Sequence, residues 1–212
     1  MLQRSHRFPT KTALLVLGLF FVAAAPPEAA AQDQGAAAFI QNLGSQGLQA
    51  LSAAEPQRVA RFRQLFETDF DIPEISRFVL GQYGRALSPQ QQQEFSELFR
   101  EYLARAYSAR LAPYAGAPFR VTGARPNGGE TVVSSQVSRP GSQPTEIDWH
   151  VVNNAGGYRV TDVVVGGVSM RISQRSEFAS IIQRNGGRPD ALIAALRQQT
   201  GSGGYGGSGQ RH

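Results

Sequence analysis

The chain changes its hydrophobic period as it runs from N- to C-terminus. Through its first half, apolar residues recur every three or four positions, the spacing of one face of a helix. Phe39, Ile40, Leu43, Leu48 and Leu51 predict one amphipathic helix, and Val59, Phe62, Leu65, Phe66 and Phe70 predict a second after Pro56. Asp71-Ile72-Pro73 marks a break, and Glu74 to Leu80 predicts a short helix that stops near Gly81. Ser88-Pro89-Gln90-Gln91 is a start signal, with Ser88 as N-cap, Pro89 at the first helical position and Gln91 placed to complete a capping box. Phe95, Leu98, Phe99, Tyr102, Leu103, Ala106, Tyr107 and Leu111 then form one wide apolar stripe, which Pro113 and Gly116 end.

From Phe119 the period falls to two. Phe119/Val121, Val133/Ser135/Val137, Ile147/Trp149/Val151 and Tyr158/Val160 alternate with polar residues, and turn-rich connections at 126–129, 140–141 and 153–157 separate them. Four antiparallel strands are predicted, the fourth running on to Val165. Gly166-Gly167 and Val168-Ser169-Met170 then make a small apolar shelf where the backbone can approach another element. Phe178, Ile181 and Ile182 return to helical spacing, so two closing helices are expected at Ser176 to Arg184 and Pro189 to Gln198. Helices, then a meander, then helices predict an α+β fold. The N-terminal and C-terminal helices should pack on one face of a curved antiparallel sheet of about four to five strands.

Arg4, Arg7 and Lys11 precede an apolar run from Ala13 to Ala25, 13 positions ended by Pro26-Pro27. A bilayer span takes roughly 20 residues, so the run predicts a leader. Ala29-Ala30-Ala31 supplies the small residues of a cleavage site, giving a cleaved secretory signal peptide over 1–31 with cleavage after Ala31. Residues 32–200 should form a single domain, and the Gly/Ser-rich stretch 201–212 a disordered tail. The chain contains no Cys, which excludes disulfides, thiolate chemistry and an acylated lipoprotein cysteine. Loss of three basic residues and one acidic residue with the leader lowers the formal charge from +5 to +3. The remaining Arg residues are spread along the chain with no recognition motif, so nucleic acid is not an expected partner.

Candidate chemistry is sparse. His6 lies in the leader and His212 at the terminus, which leaves His150, on the same strand face as Asp148 and opposite Trp149. That arrangement admits an Asp/His general base pair or a cross-strand polar pair, and no third partner can be named. Zinc sets, a phosphate-binding loop and a nucleophile elbow are missing from the sequence, so no catalysis, metal or cofactor is expected. Asp162, between Val160 and Val164 on one strand face, admits pairing with an Arg such as Arg175 or a role at a pocket mouth. The large apolar residues admit two readings from periodicity alone, a dry core or the wall of a cavity.

The motifs Phe78-Val79-Leu80-Gly81-Gln82-Tyr83, Asp148-Trp149 and DVVVGGVSMRISQRSEFASIIQRNGG over 162–187 follow in an order that resembles the MlaC family, also called the toluene-tolerance Ttg2 auxiliary component. The resemblance runs from about Phe39 to about Leu196. Three positions depart from the family pattern: Gly84 in place of an aromatic residue, His150 in place of a basic one and Gly166 in place of a glutamate. The resemblance implies a periplasmic, monomeric phospholipid-binding protein. Its implied partners are an inner-membrane ABC transporter complex and an outer-membrane lipoprotein/porin complex, between which it shuttles lipid to maintain outer-membrane asymmetry.

It also selects the cavity reading. The implied tail-binding residues are Phe78, Val79, Tyr83, Phe99, Tyr102, Leu103, Tyr107, Trp149, Val163, Val165, Val168, Met170, Phe178 and Ile182. Arg77, Arg85 and Arg171 are head-group candidates. The tails should lie between the helix over Ser88 to Leu111 and the strands, with the C-terminal helices as wall or lid. A layer about 10 Å thick, incompletely filled, leaves a slot as wide as a hydrocarbon chain. Rival readings are a carrier of hopanoid or another hydrophobic solute, an enzyme of the cone-shaped α+β class, and a docking subunit that holds no guest.

Overall fold

The computed structural model describes residues 27–139 and 141–201. Most of the expected leader and of the expected tail lies outside the described residues. The chain forms α1 (Pro27–Leu51), α2 (Glu55–Thr68), α3 (Ile72–Leu80), a 3-10 segment over Gly81–Ala86 and α4 (Pro89–Arg110). The strands β1 (Phe119–Asn127), β2 (Glu130–Val137), β3 (Thr145–Asn154), β4 (Gly157–Val165) and β5 (Val168–Ser169) follow, then α5 (Met170–Arg184) and α6 (Asp190–Gly201). The sheet is an antiparallel meander in the order β1-β2-β3-β4-β5. The α+β reading stands.

Two boundaries move. α1 starts at Pro27, before its apolar stripe, because the intervening run is rich in Ala, the best helix former, yet carries no period. The expected cleavage point after Ala31 therefore falls within α1. α5 starts at Met170 rather than Ser176, where Ser169 caps it by accepting from Ile172 N at 3.2 Å. The predicted capping box of α4 forms: Ser88 Oγ accepts from Gln91 N at 3.2 Å, and Gln91 Oε1 accepts from Ser88 N at 2.9 Å.

Two separate apolar cores follow from this order. One is purely helical and centres on the rings of Phe95 and Phe99 from α4 and Phe178 from α5, at 5.5–5.8 Å between centroids. The other places Ala36, Ile40 and Leu43 of α1 and Leu65 of α2 on the inner face of the sheet, against Val133, Val151 and Val160. Backbone pairing joins the layers at β4, whose edge is left open because β5 covers only Val164 and Val165. Val160 N donates to Asp69 O at 2.8 Å, and Asp71 N donates to Val160 O at 2.9 Å, so the α2–α3 linker acts as a short parallel strand. At the opposite edge, Val121 N donates to Gln41 Oε1 of α1 at 3.1 Å.

A bulge corrects the expected facing of β4. His150 pairs with Asp162 but Val151 pairs with Val160, which leaves Thr161 as the extra residue. Val160 and Val163 thereby share the inner face with Val151 and Trp149, and Val164 turns outward opposite Asp148. Asp162 is buried, and its expected partner Arg175 is replaced by Arg171. Its Oδ1 accepts from Val163 N at 2.8 Å and Arg171 N at 3.1 Å, its Oδ2 accepts from Ser169 Oγ at 2.5 Å, and Arg171 Nε lies 3.5 Å from Oδ2. One carboxylate thus fixes the turn from β4 through β5 into α5.

Replacing Asp162 by Ala leaves these donors without an acceptor in a buried place. Asp162→Ala is expected to cost about 3 kcal/mol, read as a lowered urea midpoint with faster amide exchange at Arg171. A second tie joins α2 to α4: Glu101 accepts from Arg63 Nε at 2.6 Å and from Arg105 Nε at 2.7 Å. The Arg63 hydrogen bond holds the Glu101 carboxyl below its ordinary value of 4.5, against the opposing effect of burial, with Arg105 assisting. Because the folded value is the lower one, this stability is present above pH 4.5 and is lost as the pH falls through the folded value. Glu101→Gln should lose about 1 kcal/mol at neutral pH and show a shallower acid limb in urea midpoint against pH.

Candidate functional site

Between the two cores lies a cavity of about 240 Å³ that the side chains do not fill. α1 contributes Leu43, Gly44, Gly47, Leu48 and Leu51 to its wall, α2 contributes Phe62, Leu65 and Phe66, and Phe70 and Ile75 follow from the linker and α3. Phe99, Leu103 and Tyr107 come from α4, with Leu111 and Tyr114 just beyond it. The sheet supplies Phe119, Val137, Thr145, Ile147, Trp149, Thr161, Asp162, Val163 and Val165, and α5 supplies Met170 and Arg171. The wall is almost wholly apolar. Even the Trp149 indole presents no free polar atom, since its Nε1 donates to Ser135 Oγ at 2.8 Å.

The structure brings Phe99, Leu103, Tyr107, Trp149, Val163, Val165, Met170 and Arg171 together around this space. It places the other candidates elsewhere. Val79, Phe178 and Ile182 are buried in the helical core, and Tyr102 packs on the Phe178 ring at 6.2 Å. Phe78 lies under two guanidiniums, with Arg171 Cζ at 4.6 Å and Arg175 Cζ at 5.3 Å from its centroid. The Tyr83 hydroxyl accepts from Gln183 Nε2 at 3.4 Å, and Val168 is 53% exposed on β5. The physical reason is common to the five on α-helices, Phe78, Val79, Tyr102, Phe178 and Ile182. Helix–helix packing and a cavity wall both demand apolar side chains at the same spacing, so a stripe does not say which of the two it serves.

Among the head-group candidates, Arg77 is exposed and paired with Glu74 at 2.6 Å, and Arg85 is exposed on the 3-10 segment. Neither lines the cavity. Arg171 does, and its Nε is buried beside Asp162 without a hydrogen bond aligned to it. The Asp148/His150 pairing does not form. His150 Nδ1 lies 3.0 Å from Glu130 Oε2, while Asp148 accepts from Ser134 Oγ at 2.6 Å and sits 3.9 Å from Arg125. Both are polar contacts between strands. Gly166 and Gly167 form the turn between β4 and β5 at φ +56° and +82°, a conformation that favours glycine.

Periodicity alone did not single out the contribution of α1. Gly44 and Gly47 were the available signal, since each glycine inside a helix costs about 1 kcal/mol relative to Ala and calls for a packing reason. Gly44 lets the Phe119 ring of β1 lie directly on the α1 backbone, where an added Cβ would overlap it. Gly47 faces open space, and an added Cβ would meet nothing within 4 Å.

Comparison with known proteins agrees with this geometry. The sequence profile of the family described as MlaC protein matches residues 37–198. The toluene tolerance protein ttg2D of Pseudomonas putida is 28% identical over 125 residues, 58% of this chain and 58% of the relative. The intermembrane phospholipid transport system binding protein MlaC of Haemophilus influenzae is 26% identical over 125 residues, 57% of this chain and 58% of the relative. Each alignment therefore spans less than two thirds of the relative's length. A solved phospholipid-binding protein from Ralstonia solanacearum, in complex with a phospholipid, superposes with a TM-score of 0.67 at 20% identity. It covers 78% of this chain and 97% of its own, a likeness of fold. With its profile match extending from α1 into α6, the chain belongs to the MlaC family.

Proposed function

We propose that this protein is a periplasmic phospholipid carrier, exported with residues 1–31 removed. It holds acyl tails in the cavity between α1, α2, α4 and the sheet. As a monomer, it passes lipid between an inner-membrane ABC transporter complex and an outer-membrane lipoprotein/porin complex. The observation that carries this reading is the unfilled apolar cavity itself. The Haemophilus relative, a binding protein of an intermembrane phospholipid transport system, and the phospholipid bound to the Ralstonia protein support it.

The energetic case rests on one magnitude. Each methylene moved from bilayer to water costs about 0.8 kcal/mol, so two tails of about fifteen methylenes face roughly 24 kcal/mol if they cross bare. A hydrocarbon-lined cavity makes the transfer nearly neutral, and differences in affinity at donor and acceptor then set its direction. The cavity of about 240 Å³ exceeds the about 150 Å³ that admits benzene and falls short of the about 300–1,000 Å³ of ordinary ligand pockets. It accommodates part of one chain, and a complete lipid must part the helical wall from the sheet. Phe99, Leu103, Trp149, Val163, Val165 and Met170 contact the tails on this reading, and Arg171, backed by Phe78, faces the head group.

Mass spectrometry of small molecules extracted from the purified protein is expected to find a diacyl phospholipid. A hopanoid or an empty protein would select one of the rival readings. Gly47→Leu supplies the sharper test, because Gly47 lines the cavity and a Cβ added there meets nothing within 4 Å. It should reduce lipid uptake from vesicles at least tenfold, since excluding two methylenes forfeits about 1.6 kcal/mol. Its melting temperature should hold or rise through the removal of a helical glycine. Unchanged uptake by a folded Gly47→Leu protein would place the tails elsewhere.

A further inference from the structure

Polar groups on the cavity wall mostly have their hydrogen bonds met within the protein. Trp149 Nε1 donates to Ser135 Oγ, Thr161 Oγ1 donates to Glu130 Oε1 at 3.2 Å, and Asp162 accepts from three donors. Tyr107 differs. It lines the cavity from α4, with its ring 6.1 Å from that of Phe66 and 5.8 Å from the Arg110 guanidinium. The side chain is half-buried, and among the described residues no hydrogen bond ties up its hydroxyl, which is not one of the buried unpartnered atoms and so stays accessible. Burial pushes the phenol up from its ordinary value, so it remains a neutral O–H donor at physiological pH.

A phenol set in apolar surroundings normally finds a hydrogen-bond partner. A donor left open on an apolar wall is completed by an acceptor that the guest brings, and methylene groups have none to offer. A phosphate is a poor fit, because burying its charge beside Phe66, Leu103 and Leu111 would cost far more than the hydrogen bond returns. The carbonyl of a carboxylic ester is neutral, accepts well and stands at the head of an acyl chain. We infer that the Tyr107 hydroxyl donates to an ester carbonyl of the bound lipid, making the protein select ester-linked glycerolipids over ether-linked or purely hydrocarbon guests of equal length. The inference rests on the reading that the cavity takes acyl tails.

The test compares dipalmitoyl phosphatidylglycerol with its dihexadecyl ether counterpart, which has the same head group, by displacement of a fluorescent fatty acid from the delipidated full-length protein. The unmodified protein is expected to bind the ester three- to tenfold more tightly, the range of one hydrogen bond. Tyr107→Phe keeps the ring contacts. It should lower ester affinity to the ether level and leave ether affinity unchanged. Equal binding of the two lipids by the unmodified protein, or equal weakening of both in Tyr107→Phe, would overturn the inference. Failure of the unmodified protein to bind either lipid would overturn the tail-carrying reading and this inference with it.

Discussion

The interior depends on two layers that are fastened at their edges and left unfilled between. At β4 the fastening is covalently continuous and hydrogen-bonded, through the backbone of Asp69 to Asp71 on Val160 and the Asp162 carboxylate under α5. At β1 it is the close seating of Phe119 on Gly44 and the bond from Val121 N to Gln41. With both edges held, the middle cannot collapse without breaking backbone pairing. At about 24 cal/mol per Å³ of void, about 240 Å³ corresponds to roughly 6 kcal/mol of packing forgone. That is comparable to the net stability of an ordinary domain, so the open space needs strong anchorage elsewhere.

The anchorage is the helical core. Phe95, Phe99 and Phe178 interlock at aromatic contact distances, and Leu192, Ile193 and Leu196 of α6 close the same cluster. The Glu101 carboxylate, held between Arg63 and Arg105, adds a polar tie on the outside of α2 and α4. This core also forms part of the cavity wall, since Phe62, Phe66, Phe99 and Leu103 belong to both. A guest that enters the wall regains contacts the protein forgoes, which gives binding a favourable term without any charge at depth. Several polar groups nearest the space, those of Trp149, Thr161 and Asp162, are turned onto partners within the protein.

Much of this was written in local pattern. The helix stripes, the Ser88 capping box, the alternation of the strands and the glycine-rich turns each report an interaction within a few residues, and the order of elements follows them. Trp149 and Val163 were assigned to the apolar side correctly because a strand's two faces are told apart by parity. The grouping of Val160, Asp162 and Val164 on one face failed because a single bulge at Thr161 shifts parity for the rest of β4, and a bulge leaves no mark in hydrophobic period.

By itself, then, the amino-acid order determined which segments are helix or strand, their succession, and the quantity of apolar surface to be buried. Tertiary structure alone decided what that surface is buried against. Phe178 and Ile182 went to other helices, Leu103 and Val165 to an open space, and Gly47 to the wall of that space rather than to a tight contact. Burial is a local demand that period records, whereas a void is set by the distance between layers, and that distance is fixed by contacts among residues far apart in the chain.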